Sequence, residues 1–194
     1  ARHARELSSA QQLSVAFAAY AVDFKDAALI GYPTAQQVAG PIVVKDDTGE
    51  RLFGEEAQRY PWRLAPYFDY DLRGLYDNQA LLRDLRAKET SYAIGNKGFR
   101  YVVSLLPSLG MNSQFVGGSD LDGSFSPLAL RLLGKQHVSR IDEVFRPQRL
   151  ITFASARVEA LSFLPGFDRP EGYFRVRAPF GSSTQGRRWA SVYD

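Results

Sequence analysis

Cysteine is absent from the 194 residues. That excludes disulfides, thiolate nucleophiles and zinc sites built on Cys, and it fixes no compartment. Histidine occurs only as His3 and His137, too few for a His-rich metal centre. No apolar run approaches the roughly 20 residues that cross a bilayer. The 24 basic and 21 acidic residues are interspersed and leave a net charge of +3. With no block of like charge, the chain lacks the footprint of a nucleic-acid partner or a polybasic membrane tail. No Gly-rich phosphate loop and no Gly-x-Ser-x-Gly elbow occurs, so phosphate cradling and serine hydrolysis have no support.

What is present is ordinary for a globular domain: 45% hydrophobic, 23% charged and 13% aromatic residues. A chain of this length can bury a core without staples. Ala10, Leu13, Phe17, Tyr20, Phe24 and Ala27 recur at spacings of three and four, which predicts an amphipathic helix over 3–28. Gly31 and Pro33 end it. Residues 42–44 and 51–53 flank the turn signal Asp46-Asp47-Thr48-Gly49 and predict a hairpin. Pro61 is suited to the first turn of a short helix. Leu81, Leu82 and Leu85 predict a second helix over 78–88, and 128–133 a short one. Strands are expected at 99–106, at 150–156 and, as an edge, at 172–179. The tail from 180 onward reads as loop. The pattern is α+β: a long N-terminal α-helix packed on an antiparallel β-sheet with long loops. The division expected is a helix over 1–30 and a globular α+β head over 31–194.

Candidate chemistry is sparse. Asp120 and Asp122, in Ser119-Asp120-Leu121-Asp122-Gly123, form half of a calcium-loop pattern without the later bidentate Glu. Asp46 to Glu50 is a similar half-pattern, and a plain turn is the competing reading of both. Two of Asp69, Asp71, Asp120, Asp122 and Asp142 would have to face each other across a cleft for hydrolysis by paired carboxylates. His137 lacks a carboxylate or serine at a telling distance and reads as a loop residue. Trp62, Tyr67 and Tyr70, beside Pro61 and Pro66, are the leading residues for an aromatic platform that would bind carbohydrate or another ligand. Their competing reading is closure of the core over a loop.

Residues 4–23, Ala-Arg-Glu-Leu-Ser-Ser-Ala-Gln-Gln-Leu-Ser-Val-Ala-Phe-Ala-Ala-Tyr-Ala-Val-Asp, match in form the stretch that follows the hydrophobic helix of prepilin-type proteins. Tyr60-Pro61-Trp62-Arg63, Ser108-Leu109-Gly110-Met111-Asn112, Phe115-Val116-Gly117-Gly118 and Arg140-Ile141-Asp142-Glu143-Val144 follow in the same order. The chain resembles the pilin-like family with a prepilin-type N-terminus that is abundant in planctomycete-type bacteria. The resemblance implies a non-enzymatic structural subunit of a type IV pilus-like or type II secretion pseudopilus-like assembly. Its partners would be other pilin-like subunits, gripped through the N-terminal helix, and the membrane, through a segment upstream of Ala1. It would be periplasmic or extracellular, anchored to the inner membrane in the full-length form, with no nucleic acid and no cofactor beyond a calcium candidate at Asp120 and Asp122. The spanning half of the family's helix and its C-terminal His-to-Asp-Gly segment are not in these residues. The expectation is therefore of a chain cut at both ends.

Overall fold

Residues 7–22 carry no charge and neither Gly nor Pro, and Ala supplies helix propensity throughout. In the computed structural model they lie within α1, Arg2–Asp23. The structure describes residues 2–76, 82–83, 86–87, 98–157, 172–177, 180–183 and 186–189. Helix α1 stops five residues short of the expected 28. The Asp26 amide donates to Ala21 O at 2.7 Å and the Lys25 amide to Val22 O, the paired bonds of a Schellman end. Lys25 and Asp26 take left-handed φ of 54° and 64°. This turn carries Phe24 out to 53% exposure, so the stripe expected to bury Phe24 turns elsewhere. Ser9, Leu13, Ala16 and Ala21 are buried, with Ala10, Phe17 and Tyr20 packed at the edge.

After α1 come α2 (Ala35–Ala39), the strands β1 (Val44–Lys45) and β2 (Arg51–Leu52), α3 (Gly54–Gln58) and α4 (Tyr60–Leu64). Thr34 and Gln37 cap α2 reciprocally, satisfying two amides that the first turn leaves without partners. The expected hairpin is present, with Val44 opposite Leu52 and Lys45 opposite Arg51. Pro61 sits in the first turn of α4. Residues 82–83 and 86–87 are helical; the rest of the expected 78–88 helix lies outside the described residues.

The stretch read as a strand over 99–106 is a helix, α5 (Gly98–Leu105). Its apolar residues bury on several sides at once: Phe99, Val102, Val103 and Leu105 are all nearly inaccessible. Packing against α3 and α4 overrides the β-preference of two adjacent valines. Strand β3 (Leu109–Met111) follows, then α6 (Pro127–Leu133) and β4 (Phe153–Ser155). Strands β3 and β4 pair antiparallel, with Met111 opposite Phe153. The expected 172–179 edge strand contributes a parallel bridge from Arg175 to Met111. The tail read as loop forms an antiparallel hairpin of β5 (Phe180–Ser183) and β6 (Gly186–Trp189); its Gly and Ser residues pair through their backbones.

The architecture is thus α+β: among the described residues, an N-terminal helix, further short helices and three separate two-stranded antiparallel pairs. One cluster of buried residues runs from Leu13 on α1 through Tyr60, Trp62 and Leu64 to Val102, Val103, Met111 and Phe174. Helix α1 lies on α4, β3, β4 and the turns after α4. Phe17 meets Phe153 edge-on at 6.2 Å. The helix comes so close to Gly74 that a Cβ there would overlap the Gln12 side chain.

Candidate functional site

The acidic candidates are drawn into separate local structures. Asp120 and Asp122 occupy one 3-10 turn, closed by Gly123 at a φ of 68°. Asp120 is exposed. The Asp122 side chain is only 9% exposed, and it faces Arg175 at 3.7 Å and Arg177 at 3.5 Å. Two guanidinium groups beside Asp122 oppose a dication at the turn whose spacing suggested a calcium loop. Among the described residues no group of three or more His, Cys, Asp and Glu side chains is placed to hold a metal.

Asp46, in the other half-pattern, is buried at 1% exposure. Its Oδ1 accepts from the Thr48 amide at 2.9 Å, the Thr48 hydroxyl at 2.8 Å and the Glu50 amide at 2.9 Å. Arg100 on α5 reaches Oδ2 at 2.5 Å, as an ion pair whose angles miss those of a hydrogen bond. Burial raises its pKa, but the Thr48 and Glu50 hydrogen bonds and the Arg100 charge outweigh it and hold the carboxyl below its ordinary range. Asp46 therefore pins the β1–β2 turn to α5.

The remaining carboxylates serve their own turns. Asp71 caps the turn over 72–75 and grips Arg73 at 2.6 Å, which pulls its pKa down. Asp142 pairs with Arg140 at 3.1 Å. Asp69 is exposed at a left-handed φ of 51°. His137 packs edge-on against Phe125 at 5.7 Å. Its ring touches Gly118 so closely that a Cβ there would lie 2.9 Å from it, and burial, then Lys135, lowers its pKa.

The aromatic candidates all border one hollow but differ in exposure. Trp62 is fully buried, and its indole N–H donates to Arg100 O at 2.9 Å. It is a core residue and presents no ring to a ligand, because a short Pro-started helix turns it inward onto α5. Trp62→Phe is expected to cost about 2 kcal/mol, from lost volume and a lost hydrogen bond; denaturant unfolding checks it. Tyr67 and Tyr70 stay half-buried and line a hollow of about 330 Å³ with Tyr20, Phe24, Pro41 and Lys45. Tyr20 and Phe24 were read as core stripe; their spacing of four at the helix end is the signal that would have placed both rings at one rim. The Tyr67 hydroxyl donates to Asp23 at 3.0 Å. Burial, then that bond and the Asp23 charge, push its pKa up to about 12.

A second feature went unread. Leu7, Val15 and Val22 stand 71%, 62% and 76% exposed along the outer face of α1. Beside Val22 opens an apolar groove of about 450 Å³, walled by Phe17, Ala18 and Ala21 on one side and Ile141, Val144 and Leu150 on the other. Among the described residues no helix is long and apolar enough to cross a membrane. Comparison of the chain with protein-family models, curated proteins and solved structures finds no match.

Proposed function

We propose that this chain is the head of a structural subunit in a type IV pilus-like or type II secretion pseudopilus-like assembly, joined to its neighbours through α1. The observation that carries the reading is the double use of that helix. Its inner face is committed to the core through Leu13 and Ala16, while its outer face exposes Leu7, Val15 and Val22 along sixteen residues without a charge, 7–22. A helix that merely covers a core exposes polar residues outward. Val15, Ala18 and Val22 lie together on that face, all exposed, and an apolar strip facing water marks a place of contact. The motif order that resembles the pilin-like family supports the same reading. In it, α1 is the C-terminal half of a longer helix laid on the antiparallel pairs. The segment before it anchors the full-length protein in the inner membrane, with the head on the periplasmic or extracellular side. The partners are other pilin-like subunits, and neither catalysis nor nucleic acid enters.

Val15→Asp together with Val22→Asp in the full-length protein tests it. Assembly, followed by cross-linking and electron microscopy of sheared cells, is expected to be lost. Both positions are exposed, so the Tm of the 194-residue chain should move by less than about 2 °C. Normal assembly with both aspartates in place overturns the reading.

A further inference from the structure

The hollow beside the end of α1 is built for presentation. Tyr20 and Phe24 stack at 4.4 Å, and Tyr67 meets Tyr20 edge-on at 6.1 Å. Two sharp corners hold the rim. Lys25 and Asp26 follow Phe24 with φ of 54° and 64°, and Asp69 and Tyr70 have φ of 51° and 57°. Each such residue costs on the order of 1 kcal/mol. The chain bears that cost at two places, and each leaves an aromatic ring at the same opening. Phe24 is 53% exposed there, and the volume of about 330 Å³ sits at the small end of ligand pockets, which span about 300–1,000 Å³.

The polar groups narrow the class of ligand. Asp47 is matched by Arg86 at 2.5 Å, and Asp46 by Arg100. Arg63, beneath the hollow, spends four of its five N–H groups on backbone carbonyls. That leaves Lys45 on the lining and Asp23, held at the rim by Tyr67: one ammonium and one carboxylate within reach of a ligand, above the buried charge of Arg63. Ring faces reward flat C–H surface. The carboxylate rewards a ligand with hydrogens to donate, and the ammonium one with lone pairs. A proline-rich peptide offers flat apolar surface, but its prolines carry no N–H for Asp23. A sugar offers all three. We infer that the hollow between α1 and β1 binds one ring of a neutral carbohydrate, its C–H face against Phe24 and Tyr70 and its hydroxyls on Asp23 and Lys45. The inference goes beyond the assembly reading and stands without it, since it needs no second subunit.

The chain is titrated with glucose, galactose, mannose, N-acetylglucosamine, cellobiose and diacetylchitobiose, by calorimetry and saturation-transfer NMR. At least one is expected to bind with a millimolar or tighter Kd. Tyr70→Asn removes the ring but suits the left-handed backbone. It should weaken that sugar about tenfold or more with Tm unchanged, and Phe24→Ser should act likewise. The inference is overturned by silence from all six sugars, by undiminished binding in both variants, or by oligoproline occupying the hollow where the sugars do not.

Discussion

Arg63→Met is expected to destabilise the fold by about 3–4 kcal/mol. For a chain of this size that lowers Tm by roughly 10 °C. Arg63 is 8% exposed, and no carboxylate is placed as its counter-ion by any ion pair among the described residues. Instead the guanidinium donates to four carbonyls. Nη2 reaches Gly31 O at 2.9 Å and Gln58 O at 3.0 Å, Nη1 reaches Ile30 O, and Nε reaches Arg59 O at 3.4 Å. Burial pulls its pKa down to about 10, so it remains protonated at neutral pH. Exchanging a whole buried ion pair for apolar groups can be neutral, because both partners leave together. Here the partners are main chain and cannot leave. Methionine fills the space and strands the carbonyls where the segment after α1 meets α3 and α4. Arg63→Lys should rescue only part of the loss, since one ammonium cannot reproduce a planar fork. Denaturant unfolding measures both variants. A loss under about 1 kcal/mol for Arg63→Met would show that water replaces the fork without cost.

Arg63 also shows where reading from sequence runs out. Residues 60–68 were legible as a Pro-bounded aromatic segment with a short helix, and α4 is there. Which side chains point inward was not, because Trp62, Tyr67 and Tyr70 have the same composition whether they close a core or face water. Only the docking of α4 on α5 decides it, and α5 itself was hidden. A helix apolar on several faces has no 3.6-residue period, so Val102 and Val103 spoke for a strand. Helix α1 was legible for the opposite reason: one face is wet and the stripe stands out. Its early end was not, since Lys and Asp at left-handed positions give no Gly signal. The acidic loops failed in another way. Counting oxygens within Asp120 to Gly123 cannot reveal Arg175 and Arg177, which tertiary structure alone brings to Asp122.

The same distinction, between a loop that looks like a cation site and one that has a protein cation in it, sets the expectation for Asp46. Asp46→Ala should cost about 3 kcal/mol at neutral pH. It removes one buried acceptor shared by the Thr48 amide, the Thr48 hydroxyl and the Glu50 amide, and it leaves Arg100, 15% exposed, to the exposed Glu50 and the charge of Glu56. Asp46→Asn keeps an acceptor oxygen but loses the charge, so about 1–2 kcal/mol is expected. The pH dependence separates the two contributions. The folded carboxyl titrates below its ordinary value of 3.8, so the unfolded chain takes up the proton first as the pH falls. The charge-dependent stability is therefore complete above about pH 5 and drains away as the pH drops through the folded pKa. The gap between wild type and Asp46→Asn should be constant from neutral pH to about 5 and close as the pH falls on below the ordinary 3.8. Other carboxylates titrate in both proteins and cancel in the difference. A gap unchanged at low pH would mean that Asp46 acts through shape and hydrogen bonds alone. A gap that closes shows that the charge on Asp46, held by the Thr48 and Glu50 hydrogen bonds and then by Arg100, fastens the β1–β2 turn, and with it the Pro41–Lys45 wall of the aromatic hollow, beside the core helix α5.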